Sequence, residues 1–140
     1  MITFFDTVPK IYFKDNIGVN QSQIIFAKTG EIVNENNNYL DIDQSMIPTF
    51  SDIDGDEDLD LFSGNIIGTL NFFENKGLIN NIPVFNLESN YWQEIYIVGQ
   101  SRHGASAISF IDLDNDSDLD LSWGDYFQQS LYIIWNIGDI

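Results

Sequence analysis

The feature that most constrains this chain is a nine-residue acidic segment that occurs twice. Asp52-Ile-Asp-Gly-Asp-Glu-Asp-Leu-Asp60 returns sixty residues later as Asp112-Leu-Asp-Asn-Asp-Ser-Asp-Leu-Asp120. The flanks repeat too: Phe50-Ser-Asp corresponds to Phe110-Ile-Asp, and Asp58-Leu-Asp-Leu61 to Asp118-Leu-Asp-Leu121. A period of this kind marks a chain built from successive copies of one supersecondary unit.

A second element occurs three times, an aromatic strand closed by Asn-x-Gly: Ile11–Gly18, Leu70–Gly77 and Leu131–Gly138. After the first two, Gln23-Ile-Ile-Phe-Ala27 corresponds to Ile82-Pro-Val-Phe-Asn86. One period therefore reads as a strand into the acidic loop (48–51), a strand out of it (59–63), an aromatic strand (69–75) and an outer strand (82–87). The segments alternate or run apolar between Gly, Asn and Asp, and none carries a 3.6-residue apolar stripe. The aromatic share of 14% suits pleated surfaces. The expected class is all-β with almost no helix, built of four-stranded antiparallel blades arranged as in a β-propeller.

On this reading residues 1–28 form a partial blade lacking its acidic loop, 46–88 a complete blade, and 106–140 a partial blade lacking its outer strand. Residues 29–45 and 88–105 are expected to be long connections, the first one polar. One complete unit and two partial ones cannot close a ring, so the expectation is part of one larger propeller, with the remaining blades supplied by a parent chain or by other copies.

Five Lys and Arg face 22 Asp and Glu, for a formal net charge of −17, which argues against nucleic acid as a partner. No stretch is apolar and long enough to span a membrane, and no signal peptide opens the chain. Cysteine is absent, which removes disulfides and thiolate metal sites.

Eleven of the 22 carboxylates lie in the two loops, and like charges held together resist folding until something neutralises them. Carboxylates stand at loop positions 1, 3, 5, 7 and 9: Asp52, Asp54, Asp56, Asp58 and Asp60, then Asp112, Asp114, Asp116, Asp118 and Asp120. A loop curling around a point brings alternate side chains inward, and calcium takes six to eight oxygens. We assign side-chain ligation to positions 1, 3, 5 and 9 and a backbone carbonyl to position 7, giving two Ca2+ sites. An EF-hand needs Gly at position 6 and Glu at position 12, where these loops hold Glu57 and Ser63, and Ser117 and Trp123. Zinc prefers His or Cys, and the chain has a single His.

The segments Pro48–Gly64 and Ala107–Gly124 resemble FG-GAP/VCBS repeats, the calcium-binding blades of integrin-alpha-like propellers. The resemblance implies a propeller with calcium held in a hairpin loop of each blade, and an extracellular, cell-surface or periplasmic setting. Glu57 and Ser117 depart from the pattern, which has Gly at position 6. If the backbone there takes a positive φ, each residue costs on the order of a kcal/mol.

The function expected from this is a structural or adhesion-type interaction module of a secreted or surface protein, with a protein or glycan ligand. A carbohydrate-binding propeller is the alternative, with Trp92, Trp123, Trp135 and Tyr126 as stacking candidates, as is the non-catalytic propeller of a secreted enzyme. Catalysis by this chain is not expected: His103 is the lone imidazole, Ser101 and Ser106 have no evident base, and no Gly-rich phosphate loop occurs.

Overall fold

The computed structural model describes residues 12–20, 23–42, 47–65, 67–97, 107–125 and 130–138. His103, Ser101, Ser106 and Tyr126 lie outside them, as do parts of all three expected units and of both connections. The described chain is all-β, and among its residues the only helical piece is the 3-10 turn Trp92–Glu94. No helix there is long and apolar enough to cross a membrane.

Among the described residues nine strands form three antiparallel sheets: β1 (Tyr12–Asn20) with β2 (Gln23–Glu31); β3 (Pro48–Ser51), β4 (Asp60–Gly64), β5 (Leu70–Ile79) and β6 (Ile82–Ser89); and β7 (Ala107–Ile111), β8 (Asp120–Asp125) and β9 (Ser130–Ile134). The second sheet is a meander in the order β3-β4-β5-β6, the third a meander β7-β8-β9. No sheet closes on itself among the described residues.

The second and third sheets share one register. Phe50 faces Leu61 and Leu61 faces Phe73; Phe110 faces Leu121 and Leu121 faces Ile134. Because side chains alternate across a strand, the two faces of the second sheet serve different layers. Leu61, Phe73 and Phe85 pack with Ile32 and Leu40 on one side. Phe62 and Leu70 pack with Ile97, Ile108, Leu121 and Trp123 on the other. Phe62 is fully buried, with the Phe72, Trp92 and Phe110 rings 5.0, 5.0 and 4.6 Å away between centroids. The hydroxyl of Thr49 ties the two sheets by donating to the Ile108 carbonyl over 2.6 Å.

Two sequence expectations need correction. In the second sheet the Asn-x-Gly motif does not close its strand, because β5 runs on through it to Ile79, whereas β9 ends at Ile134 before its own motif. Between Asn75 and Leu78 the register with β6 slips, and Gly77 takes φ 78°, so the motif is a bulge whose glycine supplies the positive φ. The turn itself is Asn80-Asn81, with φ 52° and 62°, the two-residue hairpin geometry that asparagine tolerates. The segment after β2 is likewise more than a polar connection. Ile32, Val33 and Leu40 are buried, Asn34 caps a tight turn by accepting the N–H groups of Asn36 and Asn38, and Val33 bridges to Val84 on β6. Its asparagines shape the turn while its few apolar residues cover the second sheet.

Candidate metal centre

Each acidic loop joins the first two strands of its sheet, β3 to β4 and β7 to β8, so its two ends are pinned by pairing: Ser51 with Asp60, and Ile111 with Asp120. Within that frame both loops wind the same way. Positions 4 and 6 lie in the left-handed region in each: Gly55 (77°) and Glu57 (73°), Asn115 (65°) and Ser117 (82°). Position 6 thus does require a positive φ, and a side chain bears its cost there in both loops.

The first aspartate organises the loop. Asp52 Oδ1 accepts from the Gly55 N–H at 2.8 Å and Oδ2 from the Glu57 N–H at 3.2 Å. Asp112 accepts from the Asp116 and Ser117 N–H groups at 3.2 and 3.1 Å. The position-5 carboxylate accepts from the position-7 N–H, Asp56 from Asp58 at 3.0 Å and Asp116 from Asp118 at 2.9 Å. These bonds fix the aspartates at positions 1 and 5, and those at position 3 lie close to both. One carboxylate oxygen from each of Asp52, Asp54 and Asp56 lies within 4.8 Å of the others, and Asp112, Asp114 and Asp116 form the same group. Two oxygens on one calcium ion, each at roughly 2.3–2.6 Å, can be no more than about 5 Å apart. The groups meet that limit.

Position 9 is the buried anchor. Asp60 is 2% exposed and Asp120 is fully buried. Asp60 Oδ1 accepts the Asn75 N–H at 2.9 Å, and Asp120 Oδ1 accepts the Asn136 N–H at 2.9 Å. The second oxygens differ. Asp120 Oδ2 accepts the Leu113 N–H at 3.0 Å, whereas Asp60 Oδ2 is buried with no hydrogen-bond partner among the described residues. A buried carboxylate oxygen without a donor is costly, and the carboxylates of Asp54, Asp58 and Asp56 act on the same group.

Burial and neighbouring like charges dominate the electrostatics of these carboxylates. Burial pushes the Asp60 carboxyl above the ordinary range against the pull of the Asn75 N–H, and neighbouring carboxylates push it further. Asp58 and Asp114 are raised for the same two reasons, desolvation and then adjacent aspartates, Asp56 and Asp116 respectively. At position 7, Asp58 Oδ1 is also buried and unpartnered, while Asp118 stands beside Gly138, with Oδ2 2.8 Å from where a Cβ would be.

Sequence reasoning missed Asn75 and Asn136 as parts of the site. Each donates its backbone N–H to the position-9 aspartate of its loop, Asn75 from the bulge of β5 and Asn136 from the segment after β9, and Asn75 also donates its side-chain amide to the Leu59 carbonyl at 3.0 Å. The recurrence of Asn-x-Gly after each acidic loop was the available signal. Of the aromatics considered for sugar stacking, Trp123 is buried and stacked on Tyr132, Trp92 packs among Phe62, Phe72 and Phe110, and Trp135 is exposed.

Fold and loops together define an all-β chain carrying two oxygen-rich hairpin loops with the dimensions of a hard-cation site. Compared with known protein families, characterised proteins and solved structures, the chain matches none.

Proposed function

We propose that this chain is a calcium-binding repeat module of the FG-GAP/VCBS type, a non-catalytic part of a β-propeller serving as a structural or interaction segment of a secreted or surface protein. The observation that carries the calcium reading is Asp60: a buried carboxylate with an unpartnered oxygen, one loop end away from three convergent carboxylates. An all-oxygen donor set favours calcium over zinc, and over magnesium, which demands a tighter octahedron.

The ion's role on this reading is structural. It neutralises a loop that repels itself, so binding free energy becomes folding free energy. Calcium levels outside the cell fill sites of modest affinity, which agrees with the setting the resemblance implies. The adhesion role rests on that resemblance, since a fold does not fix a function.

Calorimetric titration of the metal-free chain with calcium, and in parallel with magnesium, tests the reading. The expected result is two calcium ions per chain, weaker magnesium binding and a higher melting temperature with calcium. An absence of binding heat together with an unchanged melting curve in excess chelator would remove it.

A further inference from the structure

The two acidic loops share their spacing and winding, but their position-9 aspartates are held differently. In both, Oδ1 accepts the N–H of the asparagine that follows, Asn75 or Asn136. In the second loop Asp120 Oδ2 also accepts the N–H of Leu113, at position 2. In the first loop Asp60 Oδ2 is buried with no partner among the described residues, so the equivalent N–H, that of Ile53, does not serve it. Position 2 differs in its side chain too: Ile53 packs against the cluster around Phe62, whereas Leu113 is 43% exposed. At position 7, Asp58 Oδ1 is a second buried oxygen without a partner, and no oxygen of the second loop is in that state among the described residues.

A buried acceptor without a donor carries its desolvation cost until something positive meets it. Calcium takes six to eight oxygens, more than the three convergent aspartates of either loop supply with one oxygen each. Asp60 Oδ2 can join that shell without giving up a bond. Asp120 Oδ2 can join only by releasing Leu113.

We infer that the loops are unequal calcium sites: the first fills before the second, with Asp60 Oδ2 as a direct ligand. Asp120 is a positioning residue whose two oxygens stay on Asn136 and Leu113, and water takes its place in the shell. The inference rests on the calcium reading above and adds to it an order of filling and a division of roles. It also implies a range of calcium concentration in which only the loop of the second sheet is loaded. Charge acts in the same direction, since the first loop has six carboxylates against five, with Glu57 where the second has Ser117. Glu57 is exposed, however, and salt screens it.

The test is a calcium titration of the full metal-free chain followed by NMR, in about 0.15 M salt to screen exposed charge. The amides of Gly55 and Glu57 report the first loop, and those of Asn115 and Ser117 the second. The first pair is expected to reach half-saturation at about a tenth of the calcium that the second needs, or less. At saturation the Leu113 amide is expected to remain protected from hydrogen exchange. Asp60→Asn, checked for folding by its melting curve, should abolish the lead of the first loop. Glu57→Ser, which equalises the carboxylate counts, should keep it. Simultaneous filling, the second loop filling first, a lead that survives Asp60→Asn or vanishes in Glu57→Ser, or loss of Leu113 protection overturns the inference. These outcomes leave the calcium reading standing. If neither pair of amides responds to calcium, that reading falls and the inference with it.

Discussion

The backbone N–H of Asn75 donates to Oδ1 of Asp60 over 2.9 Å, joining the bulge of the third strand to the buried anchor of the acidic loop. The Asn75 side chain fixes that geometry from both ends: Oδ1 accepts the Gly77 N–H at 2.8 Å and Nδ2 donates to the Leu59 carbonyl. Asn75→Ala keeps the N–H but loses both bonds that aim it. A destabilisation of about 1–2 kcal/mol is expected, with a several-fold loss of calcium affinity at the first loop and none at the second. Denaturant melts and metal titration of the variant check this, with Asn136→Ala as its mirror at the second loop.

Glu57 and Ser117 hold φ values of 73° and 82°, conformations that cost a residue with a Cβ roughly 1–2 kcal/mol. Glu57→Gly and Ser117→Gly are therefore expected to stabilise the folded loop, less what glycine's freedom returns to the unfolded chain, for a net gain of about 0.5–1 kcal/mol each. Gly55→Ala should do the reverse. No atom lies within 4 Å of its added methyl, so the loss would come from the φ of 77° alone. Thermal melts of the three variants, each with and without calcium, separate loop strain from metal binding.

Much of the fold is legible because its signals are local. Alternate aspartates, the phenylalanines leading into them and the glycines after them place the strands of the second sheet to within a few residues. What escapes is structure made by sparse residues acting at a distance. Ile32, Val33 and Leu40 sit in an asparagine-rich stretch that reads as polar, and only the Val33–Val84 bridge and the apolar layer against Leu61 and Phe73 make them core. Asn-x-Gly looks like a turn because asparagine and glycine are turn residues. It becomes a bulge because strand pairing continues on both sides of it. At the site, the convergence of Asp52, Asp54 and Asp56 follows from their alternation. The Asn75–Asp60 bond links residues on different strands, and no spacing within the loop reveals it.

The raised carboxyls of Asp58, Asp60 and Asp114 carry a pH dependence of definite sign. A carboxyl whose folded pKa lies above its unfolded value binds protons better when folded, so stability falls as pH rises through that window. Metal-free protein should become more stable on acidification from neutrality towards the ordinary carboxylate range, as far as these groups decide it. Calcium-loaded protein should lose stability over the same range as protons displace the ion. Opposite slopes of melting temperature against pH, with and without calcium, are the expected outcome. Parallel slopes would mean that the ion and the protons do not compete for these carboxylates.

Phe62 holds the second and third sheets together, and the first loop leans on the same layer, because Ile53 at loop position 2 packs against that cluster. Truncating so central a ring leaves a cavity among Phe72, Trp92 and Phe110, and Phe62→Ala is expected to cost about 3–5 kcal/mol. Phe50→Ala, at a position 43% exposed, should cost about half as much or less. The loss of Phe62 should also be visible without unfolding. Trp92 and Trp123 would become wetter and their emission would move to the red, and the first loop would bind calcium more weakly as Ile53 loses its seat. Calcium should partly restore the melting temperature of the variant, since ligand binding to the folded state adds its own stabilisation. If emission and affinity stay at the native values while the melting temperature falls, the sheets are held by the strand contacts of β3 with β7 and by the Thr49–Ile108 bond more than by this layer.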